Sequence, residues 1–207
     1  MNELTERLDA PMLDAAPPDD DEATLVACAQ RDSRAFGELY ERHYPAILNY
    51  LYRRTLDPEL AEELTANTFF KALRGLAEFQ SRPTIRFRTW LYRIATNEAG
   101  MRWRRLSVRG APRMLTEDSE LAGIRRMWPE CESTDDAIAK REEFSLVHAA
   151  LGKLPSLYRT VLMLRFFEGM SHDEVGEVLE KPVGTVKSLV HRGLGKFAQA
   201  MKKLGAE

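Results

Sequence analysis

Met170-Ser-His-Asp-Glu-Val-Gly-Glu-Val-Leu-Glu-Lys-Pro-Val-Gly-Thr-Val-Lys-Ser-Leu-Val-His-Arg192 reads as two helices joined by a tight turn, the second of them basic. Ser171 and Glu174 have the spacing of a capping box, in which hydroxyl and carboxylate satisfy the N–H groups that a helix start leaves unpaired. A helix is therefore predicted to begin at Ser171, with Val175, Val178 and Leu179 on its apolar face. Glu180-Lys-Pro182 ends it, because proline supplies no N–H and clashes with a preceding helical turn. The second helix starts around Val183, and Val186, Val190, Leu194, Phe197, Met201 and Leu204 recur at the helical period. Gly184, Ser188, His191, Arg192 and Gly195 fall on the opposite side. From Lys181 to Leu204 there is no acid, against Lys181, Lys187, Arg192, Lys196, Lys202 and Lys203. A short, polar, acid-free helix face suits a groove lined by phosphates. Such patterns also arise by chance in all-helical proteins, so the reading depends on what lies upstream.

Composition bounds the answer. A chain of 207 residues with 44% apolar residues accommodates one or two cored domains, and 30% charged residues point to a soluble one. No apolar run approaches the roughly 18 residues of a membrane helix, and the acidic N-terminus is unlike a signal peptide. The cytoplasm is the expected compartment, without membrane insertion. Cys28 and Cys131 lie far apart with no CxxC partner, and His43, His148, His172 and His191 are scattered. There is no metal-ligand cluster, phosphate-cradling glycine loop or nucleophile motif, so neither a cofactor nor an enzyme is expected.

The net charge of −2 conceals segregation along the chain. Residues 1–22 carry eight acids against Arg7 and read as a disordered acidic tail. Residues 82–113 carry nine arginines against Glu98, and residues 114–143 turn acidic again. Between tail and arginine-rich stretch the pattern is helical. Phe36, Leu39, Tyr40, Tyr44, Ile47, Leu48 and Leu51 trace a stripe in which Pro45 marks a kink or join. Asp57-Pro58-Glu59 is a helix start, followed by Leu60, Leu64, Phe69 or Phe70, and Leu73 facing inward. A further helix runs from Phe87 to about Arg105. The fold expected is all-α: a tail (1–22), a helical bundle (23–106), a flexible linker (107–136) and a helix–turn–helix domain (137–207).

Together, the Phe87-Arg-Thr-Trp-Leu-Tyr-Arg-Ile-Ala-Thr-Asn97 helix and the terminal Pro182-Val-Gly-Thr-Val-Lys-Ser188 helix resemble a bacterial RNA polymerase sigma factor of the extracytoplasmic-function (ECF) type, group IV of the sigma-70 family. The resemblance covers roughly residues 23–106 and 137–204. It implies a factor that binds core RNA polymerase and directs promoter-specific transcription initiation. Region two would bind core polymerase and open the −10 element, region four would read the −35 element, and an anti-sigma factor would hold the protein inactive. Ala61-Glu-Glu-Leu-Thr-Ala-Asn-Thr-Phe69 corresponds to the family's core-binding helix, making Glu62, Glu63, Asn67 and Phe69 its polymerase contacts. At the −10 element the resemblance points to Gln80, Ser81, Arg82, Arg86, Arg88, Arg93, Asn97, Arg102 and Arg105, with Asn97 the leading candidate for base recognition. Capture of an unpaired base needs a stacking surface, polar groups for its edge and cations for the backbone. Phe79 and Thr84 could join such a pocket, while Trp103 is ambiguous between packing and DNA contact.

At the −35 element the corresponding residues are Thr185, Lys187, Ser188, His191 and Arg192. The family usually has an arginine where this chain has Leu189, and alanines where it has Gly176 and Gly193, each glycine costing about 1 kcal/mol of helix propensity. The alternative is a free-standing helix–turn–helix regulator, which would account for the terminal helices but for neither the arginine-rich helix nor the acidic one.

Overall fold

The structure, a computed structural model, describes residues 20–55, 57–80, 86–108 and 145–205. Most of the acidic tail and the expected linker lie outside the described residues. Among those described there is no strand. The first unit comprises α1 (Asp20–Arg31), α2 (Phe36–Thr55), α3 (Pro58–Gly75) and α4 (Phe87–Val108). The second comprises α5 (145–152), α6 (Ser156–Leu162), a π-helical turn (Met163–Phe167), α7 (His172–Leu179) and α8 (Val183–Lys203).

Local sequence sets the helix starts. The Asp57 side chain accepts from the Leu60 N–H at 3.1 Å, with Pro58 in the first turn. The capping box of α7 is complete: Ser171 Oγ accepts from Glu174 N–H at 3.2 Å, and Ser171 N–H donates to Glu174 Oε2 at 2.8 Å. Residues 20–22, read as tail, are the first turn of α1. Arg42 pairs with Asp21 at 3.1 Å and His43 meets Glu22 at 2.7 Å. That contact with His43, above all, holds the Glu22 carboxyl below the usual carboxylate range.

Pro45 does not divide α2, which continues through it for 20 residues. Its missing N–H costs a hydrogen bond, offset by the burial of Ile47, Tyr50 and Leu51 immediately beyond it. The inner face of α3 also differs from the reading by bulk. Ala61, Leu64, Thr65, Thr68, Phe69 and Ala72 are buried, whereas Phe70 is 59% and Leu73 42% exposed. Small side chains let α3 approach its neighbours closely. The two threonines are satisfied within the helix, Thr65 Oγ1 donating to the Ala61 carbonyl and Thr68 Oγ1 to the Leu64 carbonyl, both at 2.7 Å.

In the second unit Arg159 closes the end of α5 by donating to the carbonyls of Leu151 (2.9 Å), Gly152 (2.6 Å) and Leu154 (3.2 Å). Val161, Leu164, Met170, Val175 and Val186 fill its core. The glycines at 176 and 193 have a packing reason. A Cβ on Gly176 would lie 2.8 Å from the Lys181 carbonyl oxygen, and one on Gly193 would meet Leu162 at 3.3 Å. The first neighbour is backbone and cannot yield without moving the turn. Gly176→Ala is therefore expected to destabilise the protein by about 2 kcal/mol despite its gain in helix propensity, measured by urea unfolding; an unchanged midpoint would show that the turn shifts freely.

Candidate nucleic-acid interface

The face of α8 opposite its apolar stripe carries Gly184, Thr185, Lys187, Ser188, His191, Arg192 and Gly195, all exposed. Val186 and Val190 are buried on the other side. Ser188 Oγ donates to its own helix at the Gly184 carbonyl, 3.0 Å away, leaving an acceptor lone pair outward. Leu189, at the position where the family usually has arginine, is half-buried against the core.

The residues assigned to the −10 element are distributed differently. Gln80, Asn97 and Arg105 are exposed. Ser81 and Arg82 lie outside the described residues, as does Thr84. Arg86 is half-buried close enough to Glu22 to help keep that carboxylate charged. Arg102 reaches Glu63 at 3.8 Å, tying α4 to the acidic face of α3. Arg88 and Arg93 face the second unit. Arg88 donates to the Glu168 carbonyl and lies 5.4 Å from the Tyr92 ring centroid, and Arg93 pairs with Glu180. Phe79 is buried, 4.7 Å from Trp90 between ring centroids, and so serves the core rather than a base pocket. Trp103 is 38% exposed.

On α3, Glu62, Glu63 and Asn67 are exposed. Phe69 is 3% exposed and packs on Tyr40 (4.7 Å) and Phe36 (6.4 Å), so its ring helps hold the helix in place. The aromatic available on that surface is Phe70, with Arg74 5.7 Å from its centroid. Phe70, offered with Phe69 as an inward residue, and Leu73, read as inward, lie on the surface instead. The signal that could have found them is the Ala/Thr stripe already filling the buried face.

Helices α4 and α7 pack against each other, and the contact is anchored by Glu168. Arg53 donates to its Oε1 at 2.8 Å, and the Tyr92 hydroxyl donates to Oε2. Tyr92 is 1% exposed, its ring edge-on to Tyr50 at 5.1 Å. Burial raises the Glu168 carboxyl above its ordinary range despite these partners, and burial with the adjacent carboxylate raises the Tyr92 hydroxyl.

Two helical units, one with an acidic–apolar helix beside a basic one and the other with an acid-free helix that exposes a polar face, match known family models in chain order. Residues 39–109 match sigma-70 region 2 and residues 144–197 match sigma-70 region 4. The RNA polymerase sigma-H factor of Pseudomonas aeruginosa is 35% identical over 185 residues, spanning 87% of this chain and 93% of that protein. The chain belongs to the extracytoplasmic-function sigma factors of the sigma-70 family. The ECF RNA polymerase sigma factor SigW of Bacillus subtilis is 31% identical over 179 residues, covering 84% of this chain and 92% of its relative. Among solved structures, CnrH in complex with the cytosolic domain of CnrY superposes with a TM-score of 0.63 at 23% identity, over 88% of this sigma factor and 97% of that chain. No helix among the described residues of this sigma factor is long and apolar enough to cross a membrane. As a member of this non-enzymatic family, it directs promoter-specific transcription initiation by RNA polymerase.

Proposed function

We propose that the work is divided among three surfaces of this sigma factor. The face of α3 with Glu62, Glu63, Asn67, Phe70 and Leu73 docks on core polymerase, Asn97 of α4 together with Gln80, which precedes that helix, receives the −10 element, and α8 reads the −35 element through Thr185, Lys187, Ser188, His191 and Arg192. The observation that carries this reading is the α8 face, where all five assigned residues are exposed and no acid intervenes. Asn97 is exposed on α4 and offers both a donor and an acceptor for a base edge. No covalent step is assigned to the protein; binding energy stabilises the unpaired −10 segment while the polymerase makes RNA. An anti-sigma factor is the regulatory partner proposed, supported by the similarity to CnrH, whose structure holds the cytosolic domain of CnrY. The cytoplasm, where RNA polymerase works, is the proposed site of action.

Run-off transcription with purified core polymerase, with and without this protein, on fragments of the source genome tests the reading. Starts that depend on the protein and share two upstream elements are expected. Specific DNA binding without new starts would favour a free-standing regulator. The joint variant Lys187→Ala, Arg192→Ala is expected to flatten the slope of log K against log salt for −35 duplex by about 2, one for each phosphate no longer neutralised. A slope unchanged by the double substitution would place neither side chain on a phosphate.

A further inference from the structure

Glu168 is 7% exposed at its side chain and belongs to the second unit, yet every polar partner shown for its carboxylate belongs to the first. Arg53 approaches Oε1 from the end of α2, and its guanidinium also lies 5.5 Å from the Phe167 ring centroid. Tyr92 approaches Oε2 from α4, and Arg88, one turn earlier on α4, holds the Glu168 backbone carbonyl. Two guanidinium groups and a phenol converging from two helices form an oxyanion receptor, since all of them are donors and two carry fixed charge. Arg88 and its neighbour Arg93 are also residues that the proposed −10 surface would turn toward DNA. In this arrangement both are engaged by the second unit, Arg93 through Glu180.

We propose that Arg53, Arg88 and Tyr92 form a binding site for a backbone phosphate of the promoter strand, and that Glu168 is an internal stand-in for that phosphate. Docking of the second unit and occupation of the site by DNA then exclude one another. The contact suits a reversible role. Burial penalises the Glu168 carboxylate by more than its partners recover, so the ion pairs contribute geometry rather than deep stability. An arriving phosphodiester supplies the same oxygen geometry and charge from a polymer that also contacts the neighbouring arginines. The −35 face of α8 stays open throughout, so the first encounter with a promoter can occur there before the two units part. The inference rests on the reading of α4 as a DNA-binding surface and adds to it a residue-level competitor.

The test uses the full-length protein without polymerase. A donor–acceptor dye pair on Glu41→Cys and Gln199→Cys, both exposed sites on different units, is introduced with Cys28→Ser and Cys131→Ser so that the dyes report the separation of the units. Three results are expected. Single-stranded DNA lowers energy transfer in the parent protein. Glu168→Arg, which sets a cation against Arg53 and Arg88, lowers it without DNA and tightens binding of that DNA about tenfold, the closed fraction no longer competing. In the Glu168→Arg background, Arg53→Gln weakens the DNA complex and reduces its salt slope by about 0.7. Glu180→Lys, at an exposed pair with little influence on folding, provides a second opening variant with a smaller shift. Unchanged energy transfer in both opening variants would overturn the competitor role. An unchanged salt slope on replacement of Arg53 in the open background would overturn the phosphate site. Protein-dependent starts in the run-off assay are scored separately on the parent protein, so failure of the inference and failure of the sigma-factor surfaces give different results.

Discussion

A Phe70→Glu variant is expected to fold normally and to bind −35 duplex DNA unchanged, while its affinity for core polymerase falls by roughly two orders of magnitude or more. Phe70 is 59% exposed, so folding loses little when the ring is removed. The new carboxylate would sit four residues before Arg74, whose guanidinium already lies over the ring, and this spacing supports an ion pair within the helix. A partner that covers Phe70 loses both the transfer free energy of an aromatic ring, about 2 kcal/mol, and the shelter of a site now holding a buried carboxylate. Neighbouring Leu73, 42% exposed, extends the same patch, and Glu62, Glu63 and Asn67 flank it with polar groups in the arrangement of a hot spot with a hydrated rim. Competition with a labelled parent protein for core polymerase measures the change in affinity. Equal affinity of variant and parent would remove Phe70 from the docking surface.

Acidification should destabilise the second unit through His148. The imidazole is 5% exposed, and burial, with a smaller contribution from the Arg53 charge, lowers its pKa from 6.5 to about 4. The unfolded chain therefore binds the extra proton first. The stability of the neutral folded form is complete above about pH 6.5 and is lost as pH falls toward 4, by on the order of 3 kcal/mol. Glu168 acts in the opposite sense: its pKa is raised in the folded protein, so the penalty on its charged form is relieved as pH falls. Glu22, depressed by His43, adds to the loss at the acid end. His148 dominates the window because its neutral form is fixed by burial, with the Phe167 ring 6.0 Å away and Arg53 repelling a second cation. Urea melts at pH 7 and pH 4.5 should show the drop, and His148→Gln, which cannot take up the proton, should remove most of it. Equal slopes for the two proteins would assign the acid sensitivity elsewhere.

The locally encoded parts of this molecule were readable from its residues. Ser171 and Glu174 fix the start of α7, Asp57 with Pro58 that of α3, and the 3.6-residue recurrence from Val186 to Leu204 separates the buried stripe of α8 from its exposed reader face. Those signals act within a few residues, so no knowledge of the rest of the chain is needed to interpret them. The exposure of Gly184, Ser188, His191, Arg192 and Gly195 follows directly from that periodicity.

Partner choice between distant segments was not readable. Phe69 and Phe70 are adjacent and chemically identical, and one became core while the other remained on the surface because Ala61, Thr65, Thr68 and Ala72 set which side of α3 approaches its neighbours. Gly176 looked like forfeited helix propensity until the turn placed the Lys181 carbonyl against it. Arg88 and Arg93 read as free cations for the promoter strand, but Glu168 and Glu180, 80 and 87 residues further along, reach the two arginines. By itself the sequence determined the starts of α3, α7 and α8, the two-unit organisation and the polar face of α8, since capping and periodicity are short-range. Only the tertiary structure decided which aromatic stays on the surface, why the glycines are needed and which arginines are covered, because close packing and ion pairing join residues whose separation along the chain leaves no local mark.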